Sequence, residues 1–416
     1  RRTIMRYYKR KNPMLIREMI RNVYKECKGV PKSNCLTKEQ RLSLQMDEFM
    51  NRRYEFRYNT QIGEVEYRER FSFQFYFHPI DKRAQNSIML DAQSEGIGVW
   101  DRDIDRYLHS NRVPIYNPLE EFLFHLPHWD GKDRIHALAN RVPCKNPHWE
   151  LLFHRWFLNM VSHWRGVDKM HANNTSPILV GRQGTHKSTF CREMIPPALR
   201  AYYTDSIDFS HKRDAELYLN RFALINIDEF DQITLPQQGF LKHILQKPVV
   251  NLRKPHGRSV LELQRYASFI GTSNQKDLLT DPSGSRRFIC IEVTGNIDTT
   301  QPIDYEQLYA QAMHEIHHGE RYWFDSEDEQ IMTENNREFE QTPAMLQLFY
   351  QYFKTAQTKE EGEFLTPVEI LNYLKKKSGM SLSDNKVYHF GRLLQKCGIP
   401  SKHTYKGTVY QVIKLS

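Results

Sequence analysis

The stretch Pro177-Ile178-Leu179-Val180-Gly181-Arg182-Gln183-Gly184-Thr185-His186-Lys187-Ser188-Thr189 decides the fold. A short apolar run breaks into a glycine-bearing loop that ends in Lys-Ser-Thr, so a buried strand is expected to feed a phosphate-binding loop and then a helix. Gly181 and Gly184 let backbone N–H groups turn toward a polyphosphate, with Thr185, His186 and Thr189 completing the cradle. Lys187 can reach β- and γ-phosphates, and the Ser188 hydroxyl is placed to ligate Mg²⁺. One position departs from G-x-x-x-x-G-K-[ST]: the residue before the lysine is His186, and the extra glycine sits two positions earlier.

The next apolar run, Phe222-Ala223-Leu224-Ile225-Asn226-Ile227, stops abruptly at Asp228-Glu229. Two carboxylates at the end of a core strand are costly to place without a task. Asp228 suits a Mg²⁺ shell and Glu229 the polarising of an attacking water; the competing reading is a strand end with solvated acids. About 40 residues separate loop and acidic pair, enough for the helix, connection and strand of a βαβ arrangement. A further buried strand, Tyr266 to Ser273, ends in Asn274, an amide able to sense a γ-phosphate or simply to terminate the strand in a turn. The turn Asp281-Pro282-Ser283-Gly284-Ser285 then places Arg286 and Arg287 ahead of a last core strand, either as a solvated strand start or as a guanidinium aimed at a neighbouring subunit's γ-phosphate.

Between acidic pair and amide, Val249 to Leu263 alternates on both sides of Pro255-His256-Gly257, the pattern of a β-hairpin. Its tip carries Arg253, Lys254, His256 and Arg258.

This ordered set resembles superfamily 3 helicases of the AAA+ type and, within them, the virulence-associated E (VirE) family of phage and mobile-element primase-helicases. The resemblance spans roughly residues 110–295 and also rests on Leu126-Pro127-His128-Trp129-Asp130-Gly131-Lys132-Asp133-Arg134-Ile135, similar to the W-D-G-x-x-R opening of such modules. It implies a Walker A loop over Gly181 to Thr189, a Walker B end at Asp228 and Glu229, sensor 1 at Asn274 and an arginine-finger turn at Arg286-Arg287. It further implies ATP and Mg²⁺ as cofactors and a hairpin gripping DNA backbone. The active species would be a homo-oligomeric ring, expected as a hexamer. A primase, separate or upstream of Arg1, is a possible partner.

Composition fits a polyanion-binding, multidomain chain: 416 residues, 39% hydrophobic, Lys+Arg 59 against Asp+Glu 50, for a formal charge of +9. No apolar run reaches the ~18 residues of a membrane span and no signal-peptide pattern is present, so a cytoplasmic location is expected. Cys27, Cys35, Cys144, Cys191, Cys290 and Cys397 show no C-x-x-C pair and read as free thiols.

The expected fold class is α/β, with an AAA+/superfamily 3 P-loop core, an N-terminal α+β accessory region and a C-terminal winged-helix-like domain. The boundaries are 1–116 for the basic accessory region, 117–172 for a helical lead-in, 173–338 for the core and 339–416 for the C-terminal domain. Tyr7 and Tyr8 interleave the N-terminal charges, a pattern compatible with a nucleic-acid arm and equally with a solvated helix face. The alternations Tyr54 to Tyr58 and Phe71 to Phe75 suggest a strand pair turning near Ile62-Gly63. Trp156 and Trp164 have the helical spacing of core residues, and His314, His317 and His318 are expected at a solvated or core-edge face. Near the C-terminus, Thr366-Pro367-Val368-Glu369 forms a capping box, a second helix around Lys386, His389 and Arg392 follows, and a hairpin turns at Lys406-Gly407.

The function expected is an ATP-dependent DNA helicase or translocase in replication of a phage or mobile element. Its rivals are a nucleotide-gated DNA-binding or assembly ATPase without unwinding, and a P-loop phosphotransferase.

Overall fold

Thr37 caps the helix Lys38–Arg53: its hydroxyl accepts from Gln40 N while the Gln40 side chain accepts from Thr37 N, a reciprocal cap. The computed structural model describes residues 37–73, 75–166, 170–252, 261–279, 282–340, 344–355, 362–379, 387–405 and 407–415. The chain divides into two compact units, 1–121 and 122–416.

In the first unit four strands, β1 (Tyr54–Asn59), β2 (Glu64–Glu69), β3 (His78–Pro79) and β4 (Ile115–Tyr116), lie in the order β3-β2-β1-β4. The β1–β2 hairpin turns through residues 60–63, where Gly63 adopts φ 74°. Met46, Phe49, Met50, Tyr54, Phe56, Ile88, Ile104 and Tyr107 form the core under helices Lys38–Arg53, Lys82–Ser94 and Asp101–Leu108. The turn falls where the alternation of Tyr54 to Tyr58 places it, but the strand expected at Phe71 to Phe75 is not one. The returning strand ends at Glu69, and the aromatic alternation beyond it sits in a connection.

The second unit is built on a sheet whose neighbours are all parallel: β5 (Ser176–Val180), β6 (Tyr203–Thr204), β7 (Leu224–Ile227), β10 (Ser268–Ser273) and β11 (Phe288–Glu292), in the order β11-β5-β10-β7-β6. Every residue of β5, β7 and β10 is buried, which is why their sequences read as continuous apolar runs rather than alternations. Gly271 sits where β10 squeezes between its neighbours: an added Cβ would lie 2.8 Å from Ile178 Cδ1 and 3.2 Å from Ile227 O. Helix Trp149–Trp164 covers this sheet, with Trp156 and Trp164 fully buried and donating their indole N–H to Phe269 O (3.1 Å) and Ala223 O (3.3 Å), as their spacing predicts of core residues. His314 stacks on His318 at the surface, ring centroids 3.9 Å apart. Among the described residues no His, Cys, Asp and Glu cluster suits a metal, and no helix is long and apolar enough to cross a membrane.

The hairpin of β8 (Val249–Leu252) and β9 (Leu261–Gln264) pairs from Val249↔Gln264 to Leu252↔Leu261. Its tip, with Arg253, Lys254, His256 and Arg258, lies outside the described residues. Its root is fixed by Arg265, which is fully buried. The guanidinium donates to Ile244 O (3.3 Å), Leu245 O (2.7 Å) and Lys247 O (2.8 Å) at the end of helix Leu235–Leu245, to Ala267 O (2.9 Å) entering β10 and to Asn173 O (2.9 Å). Desolvation pushes its pKa down to about 9, and the partial negative charge of carbonyls at a helix end offsets part of that cost. The two feet of the hairpin are thereby tied to each other and to the central sheet.

Toward the C-terminus, β12 (Phe353–Thr355), β13 (Glu363–Leu365), β14 (Ser401–Thr404) and β15 (Gly407–Lys414) form a sheet in which β15 pairs with the other three. Helix Pro367–Ser378 begins with the expected box, Thr366 Oγ1 accepting from Glu369 N at 3.2 Å, and helix Val387–Lys396 follows. The short strands β12 and β13 carry too few residues for a periodic signal, whereas the final hairpin, β14 and β15, is long enough to show one. Lys386, Lys406 and the His389 side chain lie outside the described residues; the Arg392 guanidinium lies 4.7 Å from the Tyr388 ring centroid.

Candidate nucleotide site

Three adjacent strands end on one edge of the parallel sheet. Register pairs Ser273 with Val180 and Gly271 with Ile227, so the glycine-bearing loop after β5, the acidic pair after β7 and Asn274 after β10 emerge side by side. Gly181 N donates to Ser273 O at 3.1 Å, and Gly181 has no space for a side chain, since a Cβ would lie 3.0 Å from Val293 O.

Lys187 opens the helix Lys187–Glu193 and is buried. Its ammonium donates to four neutral oxygens: Gly181 O (2.7 Å), Arg182 O (2.8 Å), Thr185 Oγ1 (3.5 Å) and Asn274 Oδ1 (3.2 Å). Desolvation lowers its pKa, opposed by the nearby Asp228 carboxylate. The half-buried Ser188 hydroxyl donates to Asp228 Oδ1 at 2.9 Å, and the Thr272 hydroxyl donates to the same oxygen. The loop lysine thus meets the amide, and the loop serine meets the first acid, across three strands.

Sequence reading missed Asp231 and Thr272. Asp231 accepts from Ser273 Oγ (2.8 Å) and from Asn274 N (3.3 Å), which holds the end of β10 against the turn after the acidic pair. Neither residue stands in a motif, and only strand adjacency brings them in.

Two non-glycine residues among those described have positive φ, and both lie here: His186 at 65° and Glu229 at 53°. Left-handed backbone costs a β-carbon-bearing residue about 1 kcal/mol or more, and such strain gathers at functional sites. His186 therefore adopts the conformation for which glycine is ordinarily used, and its imidazole is exposed. His186→Gly should stabilise the protein by about 1 kcal/mol while His186→Ala gains nothing, because alanine keeps the Cβ clash. Chemical denaturation of both variants checks this; equal midpoints would remove the strain.

The structure does not bring Arg286 and Arg287 to this cluster. Both end the 3₁₀ segment Pro282–Arg287, directly before β11. Register sets Phe288 opposite Ser176 and Glu292 opposite Val180. The arginines therefore lie at the far end of the sheet, about 16 Å along the strand from the loop root at ~3.3 Å per residue. Arg286 pairs with Glu329 at 2.9 Å and Arg287 is half-buried. A cleft of about 560 Å³ opens beside the loop, lined among others by Lys145, Arg182, Asn274, Lys276 and Glu292.

The fold and site define an α/β protein with a lysine-serine loop and an acidic strand end converging on a parallel sheet. The chain belongs to the virulence-associated protein E-like domain family, whose model matches residues 123–341. A second model, a domain of unknown function from a B. theta gene description, matches residues 342–412. No curated protein matches the chain. Among solved structures, the apo structure of the NrS-1 C-terminal region (305–718) is 12% identical, covers 92% of this chain and 100% of its own, and superposes with a TM-score of 0.46. A second, the A form of the same apo region, is 11% identical, covers 89% and 99%, and gives 0.43. Likeness at that level transfers neither fold nor activity.

Proposed function

We propose that this protein is an ATP hydrolase of the AAA+/superfamily 3 type that moves along DNA during replication of a phage or mobile element. The observation that carries the reading is the convergence of Lys187, Ser188, Asp228 and Asn274 on three neighbouring strand ends. A buried lysine whose hydrogen-bond acceptors are all neutral oxygens is suited to an anionic substrate, and a hydroxyl and carboxylate 2.9 Å apart supply the hard oxygen ligands that Mg²⁺ takes. ATP and Mg²⁺ fit the residues present: Lys187 would meet the β- and γ-phosphates, while Ser188 and Asp228 would hold the metal, which neutralises charge on the phosphate oxygens when bound. Glu229 orients the attacking water and accepts its proton, and Asn274 positions the γ-phosphate or that water. The C-terminal helices and sheet are read as a winged-helix-like domain.

The hairpin with its basic tip is read as the DNA-backbone contact, on the strength of its place between the acidic pair and β10. Lys254→Ala with Arg258→Ala should lower DNA affinity and flatten its salt dependence by up to about one unit of log–log slope per lost phosphate contact. Fluorescence anisotropy over a salt series measures both, and an unchanged slope would move DNA contact elsewhere. The function is tested by displacement of a labelled strand from a fork with and without ATP. Hydrolysis without displacement would favour a nucleotide-gated assembly ATPase, and absence of hydrolysis would end the proposal.

A further inference from the structure

The connection between β2 and β3 displays aromatic rings to solvent in a way that neither core packing nor the nucleotide site uses. Phe71, Phe73, Phe75 and Tyr76 are 89%, 96%, 73% and 78% exposed. Several large rings held in water within six residues is a costly arrangement for a soluble surface and marks a contact site.

The loop is anchored at its root. Register closes it at Tyr67↔His78, and Arg70 N donates to Arg53 O at 2.9 Å. Phe77 packs under the Arg57 guanidinium, 4.0 Å from its ring centroid, and the same guanidinium lies 3.8 Å from the Tyr116 ring. Arg68 stacks on Phe77 at 4.7 Å and donates to Phe75 O at 3.1 Å. A stacked cationic base therefore supports a tip whose rings project individually.

Charge selects the occupant. Residues 1–36 of the same unit hold 11 Lys and Arg against 2 Asp and Glu, which is the whole formal charge of +9, so residues 37–416 are balanced. Arg70, which directly precedes the aromatic run, is exposed, as are Lys82 and Arg83 at the start of the helix after β3. Exposed rings flanked by cations, Arg68 and Arg70 before them and Lys82 and Arg83 after them in sequence, match single-stranded nucleic acid, whose unpaired bases offer π-faces at every step and whose backbone is anionic. A duplex keeps its bases stacked on one another and offers no such faces.

We propose that Phe71, Phe73, Phe75 and Tyr76 form a base-stacking platform for single-stranded nucleic acid, separate from the hairpin. The inference extends the nucleic-acid reading above to a second contact. Its test uses the full chain, without nucleotide, and a labelled oligothymidylate of about 20 nucleotides, with a hairpin duplex as control. Phe73→Leu with Phe75→Leu keeps apolar bulk but removes both π-faces and should weaken oligothymidylate binding about thirtyfold or more. The salt slope should stay as in the parent protein, because no cation is lost, and duplex binding should change by less than about twofold. Phe73→Tyr with Phe75→Tyr should bind like the parent. Parent-like oligothymidylate affinity in the leucine variant overturns the platform. So does a leucine variant that changes the sedimenting mass with that affinity intact, which would assign the rings to a protein partner. Because the assay contains no ATP, a failure of the hydrolase reading leaves this result independent, and successful hydrolysis cannot rescue it.

Discussion

Glu229→Gln should bind ATP within about threefold of the parent protein and hydrolyse it about 10²–10⁴-fold more slowly, the usual worth of a positioned general base. The reasoning starts from the division of labour at the strand end. Asp228 is already committed, accepting from Ser188 and Thr272, so it is poised to serve whatever Ser188 serves. Glu229 follows immediately, yet its backbone is left-handed at φ 53° in the turn after the strand, which leads into the 3₁₀ segment Phe230–Gln232 and takes the second, exposed carboxylate off the extended direction. Glutamine preserves size and tolerates the same backbone to a similar degree, while it cannot accept the proton of the attacking water. Lys187→Ala should fail differently. It removes the buried cation that spans the loop and Asn274, so affinity itself should fall about tenfold or more, since each 1.4 kcal/mol of lost interaction is a factor of ten. Equilibrium binding of a labelled ATP analogue and steady-state phosphate release separate the two. Near-parental turnover in Glu229→Gln would remove it from the chemistry, and unchanged affinity in Lys187→Ala would move the site away from this loop.

The parts of the site that could be read from sequence are those in which a buried apolar run stops at a chemically demanding residue: Val180 into Gly181, Ile227 into Asp228, Ser273 into Asn274. Each strand is buried on both faces, so its sequence carries a clear local signal. What sequence could not supply is lateral order. That β10 lies between β5 and β7 decides that Lys187 meets Asn274 and that Thr272 reaches Asp228, and it recruits Asp231, a residue with no motif of its own. Arg265 escaped for a similar reason, because a single arginine between two strands reads as solvated until the carbonyls it satisfies are known. The aromatic run Phe71 to Phe75 misled in the opposite sense. Its period of two is that of a half-buried strand, but β2 already ends at Glu69, and the alternation instead spaces rings along an exposed loop. His186 looked like a defect in a glycine pattern, whereas its backbone keeps the glycine-like conformation and only the side chain departs.

Neither Arg287→Ala subunits nor Lys187→Ala subunits should hydrolyse ATP alone, yet a mixture of the two should recover activity. The argument is topological. Arg286 and Arg287 precede β11, which runs parallel to β5 with Phe288 opposite Ser176, so they stand at the end of the sheet opposite the loop that follows Val180. At about 16 Å along the strand they are beyond the reach of a phosphate held by Lys187 in the same chain, given that an extended arginine side chain covers less than half that length. If a guanidinium from this turn stabilises charge in phosphoryl transfer, it does so on a neighbouring copy, through a head-to-tail contact that closes into a ring. Arg286 already holds Glu329 at 2.9 Å, so its use would require exchanging that ion pair, and Arg286→Ala is paired with Lys187→Ala in a second mixture to decide between the two arginines. The arginine variants retain Lys187 and Glu229, and the lysine variant retains both arginines, so only mixed interfaces contain a complete set. Phosphate release per subunit should also rise with protein concentration for the parent chain if, as that arrangement requires, assembly precedes chemistry. A rate per subunit independent of concentration, with no recovery in either mixture, would exclude the trans-acting arginine and with it the ring as the hydrolysing species.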